Sequence, residues 1–508
     1  MTTQSTLKDA LAVGAEKAGA LGAPSTPDLT YGELRKQVSE TIAALNGIGI
    51  GRNDRVAIVL PNGPEMASAF LAVASGATSA PLNPAYRAEE FEFYLSDLNA
   101  RALIVEEGSK SPAVEVARKL GVRIVTLKPR PQQGAGRFSL DAGSAPAAAP
   151  AKGGYAEAED IALVLHTSGT TSRPKIVPLS QRNVCATARN IVTTVSFTPR
   201  DRGLNIMPLF HIHGLMAGIL APLSAGGYVF CSPGFNALKF FAWMEECKPN
   251  WYTAVPTMHQ TIVTRAGHNK DIIKANPLRF IRSSSSSLPP QVIAELEATF
   301  KAPVIESYGM TEAAHQMASN PLPPAQRKPG TVGIAAGPEV GIMDENGKLL
   351  PPGSTGEIVI RGENVTLGYE NNPKANAEAF TNGWFRTGDQ GVMDAEGYLS
   401  ITGRLKEIIN RGGEKISPRE VDEVIMDHPA VQQVVTFAIP HDKLGEEVGA
   451  AVVLREGKSA TEKEIREFCA ARLADFKVPR KILFMPEIPK GATGKLQRIG
   501  LAQKLGLA

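Results

Sequence analysis

The 508-residue sequence is 43% hydrophobic and 21% charged, the balance of a globular protein long enough for two or more domains. A formal charge of only +3, with Lys and Arg interspersed among Asp and Glu, excludes an electrostatic case for nucleic acid. Cys185, Cys231, Cys247 and Cys469 are scattered with no C-x-x-C pair, which excludes a disulfide frame or a thiolate metal site and fits a reducing, cytoplasmic compartment.

Asp9 and Glu16 among the first apolar residues argue against a signal peptide, and Gly506-Leu507-Ala508 is not the usual peroxisomal tripeptide. In residues 29–48, Leu34, Val38, Ile42 and Leu45 share one helical face. Arg55 to Leu60 reads as a strand, Pro61-Asn62-Gly63 as a turn, and Ala67, Phe70, Leu71 and Ala74 as a helix face. A short strand to Pro81 follows, then helices over 89–98 and 112–120 and strands over 102–105 and 122–127. Strands alternating with helices predict parallel sheet and an α/β architecture. Residues 129–154, rich in Pro, Ala and Gly, read as a surface loop.

Alternation resumes at Ile161–Leu165, an apolar strand, with a helix beginning at Ser180. Residues 214–238 carry no charge, but Pro222, Gly226, Gly227, Pro233 and Gly234 break them into pieces shorter than a bilayer span, so they read as core helix, turn and strand. From Gly330 short β-type segments such as Gly356 to Arg361 predict a smaller β-rich subdomain. After Gly403-Arg404, helices over 418–426 and 462–473 and strands over 431–439 and 450–454 predict a compact α+β unit. The expected division is a large domain of α/β and β-rich subdomains over residues 1–403 and a small, mobile C-terminal domain over 404–508.

The chemistry concentrates between the strand at 161–165 and the helix at 180. His166 to Lys175 reads HTSGTTSRPK. Thr167, Ser168, Thr170, Thr171 and Ser172 offer hydroxyls, Gly169 lets backbone N–H groups approach a ligand, and Lys175 adds a cation on a long arm. Donors converging in a turn suit a polyphosphate. The Walker pattern G-x-x-x-x-G-K-[ST] is absent, so a kinase-like NTPase loses its main support. Glu312, in Tyr308-Gly309-Met310-Thr311-Glu312, is a hard oxygen ligand of the kind Mg²⁺ takes beside phosphate oxygens.

These stretches resemble the adenylate-forming superfamily of acyl-CoA synthetases, adenylation domains and luciferases, over nearly the full length and in family order. Ser172 and Ile176 stand where the family usually has Gly, and a β-branched Ile176 is expected to stiffen the loop. The resemblance implies ATP, Mg²⁺ and coenzyme A as cofactor and co-substrates. It implies ATP contacts from Thr167, Ser168, Gly169, Thr170, Thr171, Lys175, Ser286, Ser287, Tyr308, Gly309 and Thr311, with Tyr308 packing on adenine and Glu312 on the metal. Asp389 in Thr387-Gly388-Asp389 and Arg404 would hold the ribose, and Lys406 would be the hinge. Lys495, beside Gly494, resembles the catalytic lysine, whose ammonium offsets the repulsion between acid and α-phosphate. Gly412 and Gly413 would face the pantetheine arm of CoA. Catalytic work is implied for Lys495, Glu312, Thr170 and His211.

For the acid, His211 in PLFHIHG, the serines of Arg282-Ser283-Ser284-Ser285-Ser286-Ser287 and His315, one turn of helix after Glu312, are expected to converge, while His213 faces the core. Donors in place of an apolar wall suit a small acid with a second carboxylate, which must not be buried without partners. WYTAVPTMHQ (251–260), Arg279 to Leu288 and TEAAHQMASNP (311–321) are most similar to the plant and fungal oxalate–CoA ligases, with His211, Ser285 and His315 on the distal carboxylate. A 4-coumarate-like or medium-chain ligase would follow if the serines face adenine. A nucleotide-binding protein without ligase activity is opposed by Glu312, Asp389 and Lys495 in their motif positions. A carrier-loading adenylation module would ordinarily be fused to a carrier domain, and none is seen.

Overall fold

The computed structural model describes residues 4–143, 148–167, 174–489 and 498–508. They form two compact units. The first takes the described residues up to Thr167, with Lys175–Val340 and Ile360–Glu378; the second takes Gly341–Val359 and Ala379–Ala508.

Two sheets build the first unit. One has seven strands, in the order Phe138–Asp141, Arg123–Pro129, Ala102–Glu106, Arg55–Val59, Thr78–Pro81, Ile161–His166 and Ile176–Ser180. Its inner strands are parallel and linked by helices such as Pro64–Ala74, Ala88–Asp97 and Pro112–Leu120. The helical face expected in residues 29–48 is the buried face of helix Tyr31–Gly47, whose N-cap Thr30 and Glu33 form a reciprocal capping box.

The second sheet runs Ile334–Ala335, His315–Ser319, Val304–Met310, Phe280–Ser283, Trp251–Ala254, Arg202–Asn205, Tyr228–Cys231, Gly19–Ala23 and Thr26–Thr30. Its strand faces differ in chemistry. Tyr252 and Ile281 point into an apolar cluster with Phe240, Trp243, Leu296 and Phe300. On the other face, register partners Trp251 and Phe280 stack with centroids 5.9 Å apart. Two residues further along, that face carries Thr253 paired with Arg282.

The uncharged 214–238 stretch is a buried π-type turn Gly214–Leu220, a helical turn Ala221–Ser224 and strand Tyr228–Cys231. No described helix is long and apolar enough to cross a membrane. A five-stranded sheet of Glu339–Met343, Thr355–Arg361, Trp384–Met393, Phe380–Thr381 and Leu399–Arg404 has most of its residues in the second unit. The second unit also holds a five-stranded sheet of Glu414–Ile416, Ile409–Arg411, Gly445–Leu454, Val431–His441 and Lys481–Phe484, packed with helices Pro418–Met426 and Glu462–Ala470 around Val421, Ile425, Val448 and Ile465. The α/β and α+β expectations are met.

Three local expectations are corrected. Residues 129–154 are not all loop: Phe138–Asp141 pairs antiparallel with Arg123–Pro129 and buries Phe138. Ile176 is not a loop residue: it opens a strand antiparallel to Ile161–His166, pairs with His166 and is 5% exposed. Its β-branch suits a pleated, buried surface, and Pro178 is tolerated because this is the edge strand. His315 is not one helical turn beyond Glu312. Residues Thr311–Ala313 make only a single 3₁₀ turn, Ala314 and His315 take positive φ (48° and 112°), and His315–Ser319 returns as a strand against Val304–Met310.

Candidate active site

The phosphate-loop residues Ser168, Gly169, Thr170, Thr171 and Ser172, and the lysine Lys495, lie outside the described residues. Their flanks are described. The strand pairing His166–Ile176 is extended by the Thr167 N–H donating to the Lys175 carbonyl at 2.9 Å, and the Lys175 N–H donates to Thr167 Oγ1 at 3.2 Å. His166 Nε2 meets Asp97 Oδ2 at 3.0 Å, and burial lowers the imidazole pKa against the opposing pull of that carboxylate.

Lys175 Nζ lies 4.3 Å from the ring centroid of Tyr369, a cation–π contact. The Tyr369 hydroxyl donates to Glu312 Oε1 at 2.8 Å. Glu312 is 6% exposed, and its carbonyl accepts from the Thr366 N–H at 2.8 Å. Tyr369 thus joins Lys175 to Glu312. The sequence reading missed it; the signal available was an aromatic residue in a Gly-bounded turn (Thr366-Leu367-Gly368-Tyr369) after the β-rich run. The described residues contain no group of three or more His, Cys, Asp or Glu placed to hold a metal. A single buried carboxylate fits Mg²⁺ that takes its other ligands from phosphate oxygens and water, as this ion usually does.

Tyr308 is 8% exposed on the strand Val304–Met310, and Gly309 pairs with Gln316 across the hairpin. A Cβ on Gly309 would stand 1.7 Å from the His315 carbonyl oxygen, so glycine is required there. Thr311 is half-buried at the start of the 3₁₀ turn.

Ser283 ends the strand Phe280–Ser283, and Ser284 to Ser287 lie in the turn between that strand and helix Pro290–Phe300. Ser284 Oγ donates to the Ser307 carbonyl at 3.0 Å, and Ser307 Oγ donates to the Ser283 carbonyl at 3.2 Å, tying the turn to the next strand. Ser285 stands at φ 75°, a left-handed conformation that a non-glycine residue holds only where its surroundings impose it. Its Oγ is 3.1 Å from His213 Nδ1. Ser286 and Ser287 are exposed.

His213, expected toward the core, is 2% exposed but belongs to this polar cluster. Its Nε2 is 2.7 Å from Thr253 Oγ1 and 3.4 Å from Arg282 Nη1, and its ring stacks on His315 at 4.9 Å. The structure therefore brings together two of the three expected acid-site residues, Ser285 and His315, through His213. His211 is half-buried beside the Phe210 ring, 4.6 Å away. Arg282, 1% exposed, was also missed; an arginine inside an otherwise apolar strand was the available signal. Burial alone pushes its guanidinium down to about 9.

In the second unit, Asp389 and Arg404 are register partners on adjacent strands. Arg404 Nε donates to Asp389 Oδ1 at 2.9 Å, and the Asp389 N–H donates to Thr387 Oγ1 at 3.1 Å. Asp389 is 7% exposed, in a strand rather than a turn. Lys406 is exposed in the 3₁₀ turn Leu405–Glu407. Gly412 and Gly413 make an exposed turn between Ile409–Arg411 and Glu414–Ile416, with φ of 60° and 95°.

Comparison with known proteins matches residues 10–370 to the AMP-binding enzyme family and residues 420–495 to the AMP-binding enzyme C-terminal domain. The chain is 45% identical to an oxalate–CoA ligase of Arabidopsis thaliana, covering 94% of this chain and 93% of that protein. It is also 45% identical to an oxalate–CoA ligase of Saccharomyces cerevisiae, covering 89% and 87%. Among solved structures, ATP-bound MatB from Rhodopseudomonas palustris superposes with a TM-score of 0.88 at 28% identity, covering 99% and 98%. With its nucleotide motif, its sheet architecture and both family domains in order, this chain belongs to the AMP-binding enzymes of the adenylate-forming superfamily.

Proposed function

We propose that the protein is an AMP-forming oxalate–CoA ligase. The observation that carries this reading is the polar cluster of half-buried Ser285 with buried His213, His315 and Arg282, in the same compact unit as Glu312. A fatty or aromatic acid would leave such donors unpaired, at a cost that makes a donor-lined site reject it by about 10⁴-fold or more. A small dicarboxylate satisfies them. The two oxalate–CoA ligases at 45% identity support the same choice.

In the first half-reaction a carboxylate oxygen of the acid attacks the α-phosphorus of ATP, pyrophosphate leaves and acyl-AMP forms. Thr167, Ser168, Gly169, Thr170, Thr171 and Lys175 hold the phosphates, Tyr308, Gly309, Thr311, Ser286 and Ser287 border the nucleotide, and Asp389 with Arg404 holds the ribose. Mg²⁺ held by Glu312 would neutralise phosphate charge. Lys495 places an ammonium between the two anions as they meet. His211, Ser285 and His315 take the distal carboxylate. In the second half-reaction the CoA sulfur attacks the acyl carbon and AMP leaves, with Gly412 and Gly413 clearing the way for the pantetheine arm. The segment 404–508 turns about Lys406 between the two. The four buried, free thiols support a cytoplasmic setting.

Pyrophosphate release with ATP, Mg²⁺ and CoA, compared across oxalate, malonate, 4-coumarate and octanoate, tests the reading. A strong preference for oxalate is expected. A preference for coumarate or octanoate would overturn the acid assignment and leave the superfamily membership intact.

A further inference from the structure

The first unit buries a guanidinium that pairs with no carboxylate among the described residues. Arg282 is 1% exposed, and its Nε–H has no partner there. Its two terminal nitrogens are spent on neutral groups: Nη1 lies 3.4 Å from His213 Nε2 and Nη2 lies 3.3 Å from Gln316 Oε1. Burying an uncompensated cation is costly, and an apolar residue would pack at that strand position without the penalty.

Gln316 cannot turn to offer Arg282 a different atom. Its Nε2 already donates to Thr194 Oγ1 at 2.9 Å and to the Ala336 carbonyl at 3.1 Å. That leaves Oε1 toward Arg282, and holds the guanidinium where its other arm meets His213. Arg282 and Thr253 are partners in adjacent parallel strands, so both reach the same imidazole nitrogen from one face of the sheet.

A guanidinium has only donors. The His213 nitrogen facing it, 3.4 Å from Arg282 Nη1, must therefore accept, and the Thr253 hydroxyl, 2.7 Å from the same nitrogen and able to donate or accept, then takes the donor role. In a neutral imidazole the proton then sits on Nδ1. Nδ1–H donates to Ser285 Oγ at 3.1 Å. With its oxygen accepting from His213, Ser285 keeps its own proton for an acceptor elsewhere, and a carboxylate is an acceptor only. The opposite tautomer would point an Nε2–H at the Arg282 N–H and would ask Ser285 to spend its proton on Nδ1.

We propose that Arg282 is the positioning residue of the acid site: it fixes His213 in the Nδ1–H tautomer and so makes Ser285 a hydrogen-bond donor to the substrate carboxylate. The proposal rests on the oxalate–CoA ligase reading for the place of Ser285 beside the acid. The tautomer does not depend on that reading, because it is a property of the protein without substrate. Among the described residues, Arg282 from strand Phe280–Ser283 and the stacked His315 from strand His315–Ser319 face His213.

The test has two arms. In the first, ¹⁵N spectra of the ¹⁵N-histidine-labelled full-length protein, with His213 assigned by comparison with His213→Asn, read which ring nitrogen carries the proton. A protonated Nδ1 and an acceptor-type Nε2 are expected; a protonated Nε2 in the unmodified protein overturns the proposal, whether or not any Arg282 variant folds. In the second, Arg282→Met should raise the KM for oxalate by about 10- to 100-fold, the range for losing a charge-assisted arrangement, with the KM for ATP unchanged. Arg282→Lys, which keeps a donor-only cation, should restore most of the loss. An unchanged oxalate KM in Arg282→Met, or no difference between Met and Lys, overturns the proposal. If the unmodified protein prefers another acid, the oxalate reading fails by itself, and the nitrogen spectra still decide the tautomer.

Discussion

Tyr369 shows how a single residue organises charge in this protein. Its ring meets the Lys175 ammonium and its hydroxyl holds a carboxylate oxygen of Glu312. Tyr369→Phe keeps the ring and loses one hydrogen bond to a charged acceptor, a contribution of about 1.5–3 kcal/mol. The expected result is a fall of about tenfold or more in kcat/KM for ATP, measured by ATP–pyrophosphate exchange, with little change in thermal stability. An unchanged rate would remove Tyr369 from the ordering of Glu312. A second residue acts on stability. His259, fully buried against Tyr252, has its pKa pushed down to about 3 by burial, partly offset by the carbonyls of Arg282 and Ala254. The folded protein keeps it neutral while the unfolded chain protonates it below about 6.5. Its contribution is present above pH 6.5 and is lost as pH falls from there toward 3. Melting temperatures should already decline between pH 6.5 and 5, above most carboxylate titration. His259→Gln, destabilised at neutral pH, should show a flatter decline over the same interval.

At the scale of elements, the hairpin Val304–Met310 to His315–Ser319 brings Tyr308 and Gly309, proposed to border the nucleotide, beside His315, proposed for the acid site. Its tightness rests on Gly309, where a Cβ would meet the His315 carbonyl oxygen at 1.7 Å. Gly309→Ala must displace that carbonyl, and with it the stacked His315. A loss of about 1–3 kcal/mol is expected from such overpacking, read by urea unfolding, together with a larger loss of acid activation than of ATP binding. Full activity with unchanged stability would mean that the hairpin yields without moving the site. The same element marks a limit of sequence reading. Helix Tyr31–Gly47 was legible because its apolar residues recur at helical spacing and Thr30 caps it. The turn at Ala314-His315 was not, because alanine does not favour positive φ and histidine favours it only as a minority conformation; packing against the rest of the sheet imposes it. Ile176–Ser180 was missed because Pro178 argues against a strand unless the strand is known to be an edge.

For the whole molecule, the proposed two-step reaction asks one mobile segment to serve two half-reactions, a hinge-type change. Lys495→Ala separates them. Acyl-AMP formation should fall by about 100-fold or more, the scale of losing a charge-stabilising group at the reacting centre, while CoA transfer from supplied oxalyl-AMP is largely kept. Equal loss in both would contradict the role proposed for Lys495. In the second unit, Arg498 ties three separate stretches of this segment. It forms ion pairs with Glu407, beside Lys406, at 3.2 Å and with Asp422 of helix Pro418–Met426 at 2.6 Å. It stands three residues after Lys495.

The sequence by itself determined the superfamily, the alternation of strands and helices, and the order of the phosphate loop, the nucleotide motif and the C-terminal segment. Each of these is written in local pattern: period, turn chemistry and motif spacing. It also led to the expectation that His211, Ser285 and His315 converge; in the structure Ser285 and His315 each meet His213. Only the tertiary structure decided that His213 belongs to that cluster, that Arg282 lies buried behind it and that Tyr369 joins Lys175 to Glu312. Those pairings span 69, 194 and 57 residues of chain, counted as 282 − 213, 369 − 175 and 369 − 312. They arise from the register of parallel strands and the return of a distant loop, and no local pattern encodes which face of one strand will meet which side chain of another.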